Sequence, residues 1–386
     1  MSSPNQLISI ETDKTQVRNL IESTARILIN NGASINPDVV IRESAGHLSV
    51  HSTTGSAGEP LFVIPQELLV PVTDITWGTT TNADVDTYSG MRAMTIETAG
   101  NLTPVQRELL DLQIAIYNSL NKFEWFLNEH PRAALRNFPD IEHLLCEREP
   151  NFTRGHDPED FIATRVFGYR DKSLAEDQPL KKSVLMPIVD FMNHHQRGAA
   201  YNVGNGALSV LSKQPVEDSE CLVNYGGARD ALQMFTNYGF ADKSSSVATS
   251  APATLPIIGQ SLQTLGTLIV ERKHSKGHLP RITAAETALT LSKVTFAPNK
   301  LDHFYAAFIL PVKSFAMQQG ASPEQADQIA ERAARDLIEL NKQQLGELLA
   351  SVESLGSERA VIRELESALR FQLRNIDNFS QRFNTQ

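Results

Sequence analysis

Three short stretches decide the fold class: PIVDFMNHH at residues 187–195, CLVNYGG at residues 221–227 and TNYGF at residues 236–240. The first two are apolar strand patterns. One ends in an aspartate, an asparagine and two histidines, and the other ends in a tyrosine and two glycines. The third closes a short helical pattern. Polar and aromatic residues at the ends of elements, with glycines beside them, indicate a site rather than a core.

Turn and cap signals predict the elements around these stretches. Asn205-Gly206 lies between two alternating segments and predicts a β-hairpin. Short strands are predicted at residues 47–50 and 60–65, and residues 74–102 read as a loop rich in Thr, Asn, Asp and Gly. Thr103-Pro104 is a helix start, and the apolar spacing after it predicts a mostly helical region as far as residue 145.

The chain changes character near residue 250. Residues 284–291, residues 301–310 and nearly everything beyond Ser322 read as helix, and Ser322 begins a capping box with proline at the first helical position. The prediction is an α+β protein, with a β-rich domain that carries a helical insert and an all-α C-terminal domain. The predicted boundaries are 1–38 for an N-terminal arm and helix, 39–250 for the β-rich domain with its insert at about 100–160, and 251–386 for the helical domain.

Composition and charge narrow the function classes. The 386 residues are 41% hydrophobic and 21% charged, which is typical of globular proteins and excludes disordered, collagen-like and coiled-coil chains. The net charge of −10 argues against nucleic-acid binding and favours a basic protein segment as partner. Neither of the two cysteines lies in a C-x-x-C motif, so no metal site is predicted. With no export signal or membrane span in the sequence, we expect a cytoplasmic monomer, the nucleus and organelles remaining open.

The order and spacing of the three stretches resemble those of the SET-domain methyltransferases. The similarity is closest to the branch that contains the Rubisco large-subunit lysine methyltransferases and the actin-histidine methyltransferase. The matching residues are Pro187, Asp190, Asn193, His194, Tyr225, Gly226, Tyr238, Gly239 and Phe240. Residues 46–65 are similar to the opening hairpin of that branch, and residues 163–167 to its Ser-Arg-x-Phe motif. The resemblance runs from about residue 40 to the end and includes a helical substrate-binding domain.

This resemblance implies methyl transfer from S-adenosylmethionine (AdoMet) to a protein side chain, with lysine expected as the target. It implies that Tyr225 is the catalytic residue, with its hydroxyl beside the transferring methyl group. The residues implied for the substrate channel are Tyr201, Tyr238 and Phe240. The residues implied for cofactor binding are Gly46, His47, Leu48, Arg165, Asp190, Asn193 and His194.

Two alternatives stay open. The first is a histidine-directed methyltransferase on the same fold, because the shape of the pocket sets the target. The second is a SET-like scaffold without activity that binds a partner through its helical C-terminal part. Departures from the family pattern at residues 46–48 and 229–231 favour the scaffold, including Asp230 where the family has asparagine. The presence of Tyr225 and of Asn193-His194 favours an enzyme.

Overall fold

The computed structural model describes residues 8–52, 58–81, 91–149, 152, 157–169, 182–213, 219–227, 229–256, 267–268, 282–285, 288–356 and 359–385. The chain divides into two compact units. The first consists of Met1–Glu129 and Gly155–Gly226, and the second of His130–Arg154 and Gly227–Gln386. The helices of the described residues, in chain order, are α1 (Thr15–Asn30), α2 (Pro104–Ser119), α3 (Lys122–Asn128), α4 (Pro131–Ala134), α5 (Pro139–Arg148), α6 (Pro158–Ala163), α7 (Ala231–Tyr238), α8 (Leu301–Phe304), α9 (Leu310–Gln318), α10 (Pro323–Ser354) and α11 (Ala360–Asn384). The strands are β1 (Ser9–Glu11), β2 (Ser34–Ile35), β3 (Val39–Ser44), β4 (His47–Ser52), β5 (Pro60–Pro65), β6 (Val70–Pro71), β7 (Thr76–Thr81), β8 (Arg92–Thr98), β9 (Phe167–Tyr169), β10 (Lys182–Leu185), β11 (His194–Ala199), β12 (Tyr201–Gly204), β13 (Ala207–Leu211), β14 (Ala248–Thr249), β15 (Ala253–Pro256), β16 (Thr267–Leu268), β17 (Ile282–Ala285), β18 (Ala288–Leu291) and β19 (Thr295–Phe296).

The first unit is built from small sheets. One has the strand order β1-β3-β4, with β1 parallel to β3 and β3 antiparallel to β4. A second has the order β12-β13-β5-β2 and is antiparallel, and a third has the order β6-β10-β9. The apolar sides of these sheets share one buried core with α1 and α2. Several small sheets combined with helices confirm the predicted α+β class.

The predicted hairpin at Asn205-Gly206 is confirmed. Asn205 and Gly206 both have positive φ, +52° and +71°, between the antiparallel strands β12 and β13. Positive φ at both central residues is the requirement of a type I′ turn, which asparagine and glycine meet at low cost. The turn fixes the register that pairs Tyr201 with Val210.

The predicted helical region after Leu102 is confirmed by helices α2 to α5. Helix α2 begins with the predicted cap: the Thr103 hydroxyl accepts from the backbone N–H of Gln106, and the Gln106 side chain accepts from the N–H of Thr103. This reciprocal pair satisfies two of the backbone donors that a helix leaves free at its start. The buried side of α2 is not purely apolar, because Gln113 and Tyr117 lie among its leucines and isoleucines.

The prediction of a loop over residues 74–102 is wrong for its two ends. Strands β7 and β8 pair antiparallel there, with Trp77 opposite Ile96. Threonine and isoleucine are β-branched and favour a pleated strand, and burial of Trp77 and Met94 anchors the pair to the core. Polar composition alone was therefore a poor guide to this segment.

The second unit is largely helical. Helix α10 begins with the predicted capping box, in which Ser322 and Gln325 each accept from the other's backbone N–H. The apolar faces of α10 and α11 belong to one buried core, together with residues of α7, α8 and α9. None of the helices that the structure describes has a stretch long and apolar enough to cross a bilayer.

The prediction of an all-α C-terminal domain is wrong for the residues that the structure describes between positions 253 and 296. Strands β15, β18, β17 and β16 form an antiparallel sheet in that order, and β18 lies where a helix was predicted over residues 284–291. Leu289 and Leu291 are buried while Thr290 between them is exposed, which is the two-residue alternation of a strand. The predicted domain boundaries at residues 38 and 250, the expected monomer and the expected cytoplasmic location stay predictions.

Candidate active site

Tyr225 is held against residues 192–194 at both its backbone and its side chain. Its backbone N–H donates to Nδ1 of His194 (3.1 Å), and its hydroxyl donates to the carbonyl oxygen of Met192 (3.0 Å). The rings of Tyr225 and His194 lie 5.0 Å apart between centroids. Because Nδ1 of His194 accepts, the neutral imidazole carries its proton on Nε2. Two stretches that are about thirty positions apart in the sequence are thus in direct contact.

The same two stretches cross each other through their backbones. The N–H of Val223 donates to the carbonyl of Asn193 (2.9 Å), the N–H of Ala199 donates to Leu222 (2.8 Å), and the N–H of Asn224 donates back to Ala199 (2.8 Å). The chain between Asn193 and Ala199 therefore wraps around Val223. In the described residues Val223 is paired through isolated bridges, so this segment is not the regular strand that its apolar pattern predicts.

Gly198 allows this crossing. A Cβ atom placed on Gly198 would lie 2.5 Å from the carbonyl carbon of Val223 and 2.7 Å from its Cα. Both are backbone atoms, so no side-chain rotation can relieve the overlap. Close approach of two backbones is one of the structural uses of glycine.

Asn193 links this crossing to the predicted 46–48 stretch. Its Nδ2 donates to Glu220 Oε1 (2.8 Å) and to the carbonyl of Leu48 (3.4 Å). Gly46 lies in the turn between β3 and β4 with φ +80°, and its N–H donates to Oε1 of Glu43 (2.7 Å). The sequence-predicted residues Leu48, Asn193, His194 and Tyr225 are therefore brought together by direct contacts.

Asp190 is engaged by side chains of α2. Its carboxylate accepts from Nε2 of Gln113 (3.1 Å) and from the hydroxyl of Tyr117. Burial of the Asp190 carboxyl raises its pKa to about 6, against the Tyr117 hydrogen bond and the Arg165 charge, which favour the ionised form. These contacts fit the role of orienting neighbouring groups.

Arg165 lies beside this cluster. Its guanidinium carbon is 5.4 Å from the ring centroid of Tyr117 and 5.2 Å from that of Phe161. Its Nε is buried and has no hydrogen-bond partner among the described residues. A buried donor without a partner is costly, and in native proteins it calls for an explanation such as a ligand.

His47 and Lys122 form a second contact of the first unit. Nζ of Lys122 lies 3.4 Å from Nδ1 of His47. Partial desolvation of the His47 ring, followed by the positive charges of Lys122 and Arg165, lowers its pKa. Burial also lowers the pKa of Lys122 to about 8, and the charge of Arg165 acts in the same direction. Half-buried positive charge therefore accumulates around these residues.

The residues predicted for the substrate channel are divided between the two units. Tyr201 belongs to the first unit and lies against Phe167, with ring centroids 5.0 Å apart. Tyr238 and Phe240 belong to the second unit, where their rings lie 6.4 Å apart and Nη1 of Arg229 donates to the Tyr238 hydroxyl. A shared channel of these three residues stays a prediction.

Asp230, one of the departures from the family pattern, has a structural explanation in the second unit. It is fully buried and caps α7, where its carboxylate accepts from the N–H of Gln233 (2.8 Å). It also accepts from the N–H of Thr249 (2.8 Å) and from Nε2 of Gln372 (2.6 Å).

Sequence reasoning missed three residues of this region: Gln113, Tyr117 and Lys122. The signal for the first two was their position on the apolar side of α2, where a polar residue needs a buried partner. Lys122 carried no such signal, because one lysine at a helix start is ordinarily solvated. Within the described ranges no three His, Cys, Asp or Glu side chains converge as a metal ion would require.

Comparison with known proteins finds similar chains among solved structures. No protein-family model matches the chain, and no curated protein matches it in sequence. Among solved structures, the chain is similar to the SET domain of LSMT bound to lysine and S-adenosylhomocysteine (AdoHcy). The identity is 13%, the match covers 95% of this chain and 91% of that chain, and the TM-score is 0.42. It is similarly matched to Rubisco LSMT bound to AdoMet, with 13% identity, 95% and 92% coverage, and a TM-score of 0.42.

Proposed function

We propose that this protein is an AdoMet-dependent protein methyltransferase that acts on a lysine side chain. The observation that carries the proposal is the double anchoring of Tyr225, by its hydroxyl on the Met192 carbonyl and by its N–H on His194. The motif residues that resemble the family are thereby assembled around one tyrosine, with Asn193 tied to Leu48 beside it.

The first unit has groups that fit the cofactor. When bound, AdoMet supplies an electrophilic methyl group on a sulfonium centre, and it carries a carboxylate at the other end of its amino-acid moiety. The buried, unpartnered Nε of Arg165 belongs to a guanidinium, whose planar set of donors suits a carboxylate. We assign Arg165 to this carboxylate, and Asn193, His194 and the backbone at Gly46, His47 and Leu48 to the remaining cofactor contacts.

Methyl transfer is an in-line displacement that depends on alignment more than on acid–base catalysis. Tyr225 is suited to this task because the Met192 carbonyl fixes its hydroxyl, and a fixed polar group needs little reorganisation during the reaction. The target lysine must lose a proton first. With an ordinary pKa of about 10.4, reaching the neutral amine at pH 7 costs roughly 4.6 kcal/mol. An aromatic, partly desolvated channel that includes Tyr201 reduces that cost, because desolvation lowers a lysine pKa.

The substrate is a protein, and we propose that its target lysine lies in a basic segment. The support is the formal charge of −10 on the whole chain, which attracts positively charged segments. A histidine target and a scaffold without activity remain as outcomes of the experiment that follows.

The test combines Tyr225→Phe with labelled AdoMet. Purified protein is incubated with AdoMet that is radiolabelled in its methyl group and with a cell extract or basic peptides. The protein and peptide products are then hydrolysed to amino acids, which are separated. We expect methyl-lysine from the wild type and a rate about 100-fold lower from Tyr225→Phe, because a single fixed polar group at a reacting centre is worth about that much. The matched control is Tyr305→Phe in the second unit, whose ring lies near Phe383, and it should keep the wild-type rate.

The outcomes separate the alternatives. Equal rates for wild type and Tyr225→Phe would contradict the assignment of Tyr225. Methyl-histidine in place of methyl-lysine would identify the histidine-directed enzyme. If no methyl group is transferred and calorimetry detects no binding of S-adenosylhomocysteine (AdoHcy), the scaffold without activity is the function that remains.

A further inference from the structure

Lys122 lies at the same part of the first unit as Arg165, although it comes from the helical insert. It is the first residue of α3, and Asn121 before it has positive φ (+53°), which turns the chain sharply between α2 and α3. The carbonyl of Leu120 lies 3.4 Å from where a Cβ on Gly46 would stand, so this turn packs directly on the β3–β4 turn. The packing places Nζ of Lys122 at His47.

The carboxylates near Lys122 and Arg165 form hydrogen bonds and ion pairs with other residues. Glu43 accepts from the Thr12 hydroxyl (2.8 Å) and the Gly46 N–H (2.7 Å), and forms an ion pair with Lys14 (3.2 Å). Asp190 accepts from side chains of α2, as described above. Among the described residues, neither Lys122 nor Arg165 has a carboxylate within ion-pair distance.

The pKa of Lys122 agrees with the lack of a carboxylate partner. Lys122 is affected by Arg165 and Lys14, which disfavour its ammonium form, and by Glu43, which favours it, while His47 is its neighbour. Burial and the two cations prevail, and they lower the Lys122 pKa to about 8. Partly buried cations that have no paired anion repel each other and lose hydration, which is unfavourable for folding. A bound anion offsets both of these costs.

We propose that Lys122 is a binding residue for the carboxylate of the amino-acid moiety of AdoMet and AdoHcy, which it holds together with Arg165. This inference rests on the proposed function and adds to it a contact from the helical insert. Through Lys122, the affinity for AdoMet and AdoHcy depends on their carboxylate and on the pH. The ammonium form binds, so AdoHcy affinity is highest below pH 8, decreases as the pH rises above 8, and binding above pH 8 takes up a proton.

The experiment compares two ligands by calorimetry: AdoHcy and 5′-methylthioadenosine, which has the same nucleoside but lacks the amino-acid moiety. For Lys122→Met we expect AdoHcy affinity to fall about 10- to 100-fold, the range of a hydrogen bond to a charged group, and methylthioadenosine affinity to change less than about twofold. Lys122→Arg should restore most of the AdoHcy affinity. The control is Lys14→Met, which removes a charge already paired with Glu43 and should change either affinity by less than about twofold.

Proton uptake supplies a readout that a structural role would not move. At pH 8.5, AdoHcy binding measured in two buffers of different ionisation enthalpy should show proton uptake by the wild type and less by Lys122→Met. The proposal would be overturned if Lys122→Met lost equal affinity for both ligands, or if it kept the AdoHcy affinity or the proton uptake of the wild type. It would also be overturned if inorganic phosphate competed for the site as strongly as AdoHcy does. A folded wild type that binds AdoHcy while Lys122→Met keeps full affinity refutes this inference alone. A wild type that binds neither ligand refutes both this inference and the proposed function.

Discussion

At the scale of single residues, the site depends on one backbone contact as much as on its polar groups. The segment that carries Asn193 and His194 reaches Tyr225 only because it wraps closely around Val223. Gly198 is the residue at which a side chain would prevent that approach. Its role is therefore steric and can be tested apart from any ligand.

Gly198→Ala is expected to destabilise the protein by about 2–3 kcal/mol, because the new methyl group meets immobile backbone atoms and forces them apart. The matched control is Gly204→Ala in β12, where a Cβ meets nothing within 4 Å. Alanine costs less backbone entropy than glycine there, so stability should stay equal or rise slightly. Denaturant unfolding monitored by circular dichroism measures both variants. Equal shifts of the two midpoints would contradict the steric role.

At the scale of elements, the link between Asp190 and α2 carries a pH dependence. A carboxyl whose pKa is raised from 3.8 to about 6 in the folded state binds its proton more tightly than in the unfolded chain. Ionisation of Asp190 therefore costs stability. The cost is absent below about pH 3.8 and complete above about pH 6, and it amounts to at most about 3 kcal/mol.

Asp190→Asn keeps an oxygen that can accept from Tyr117 and removes the charge. Relative to the wild type, we expect the free energy of unfolding of this variant to rise by up to about 3 kcal/mol between pH 4 and pH 7. Urea unfolding at the two pH values measures the difference. Asp111→Asn, which breaks an exposed ion pair with Arg107, should show an offset that changes by less than about 0.5 kcal/mol. A constant offset for Asp190→Asn would refute the raised pKa.

The same scale shows what the sequence could predict. The hairpin at Asn205-Gly206 and the caps at Thr103 and Ser322 were predictable because turn and cap geometry depends on residues within three positions of each other. Strand β18 was misread because its alanine and threonine pattern is short, and its alternation shows only when the paired strands bury Leu289. Periodicity over four residues is too weak a signal to exclude a helix.

The candidate site likewise contains residues that the sequence could predict and contacts that it could not. Tyr225, Asn193 and His194 could be predicted because their motifs have a recognisable order along the chain. The contacts of Asp190 with Gln113 and Tyr117 could not, since they join positions 77 and 73 residues apart. Lys122 and His47 are likewise 75 positions apart. Such pairs arise from the packing of the insert on the sheets, which no local pattern encodes.

At the scale of the whole molecule, the charge of −10 acts over longer distances than any single contact. If the substrate segment is basic, attraction accelerates encounter, and salt should reduce this gain because the screening length falls from about 10 Å at 0.1 M to about 3 Å at 1 M. For a basic peptide we expect kcat/KM to fall about tenfold between 0.02 M and 0.5 M sodium chloride, with kcat nearly constant. A control peptide with the same target lysine and neutral flanking residues should lose less than about twofold. Steady-state methyl transfer measures both, and equal salt sensitivity of the two peptides would show that the overall charge does not select the substrate.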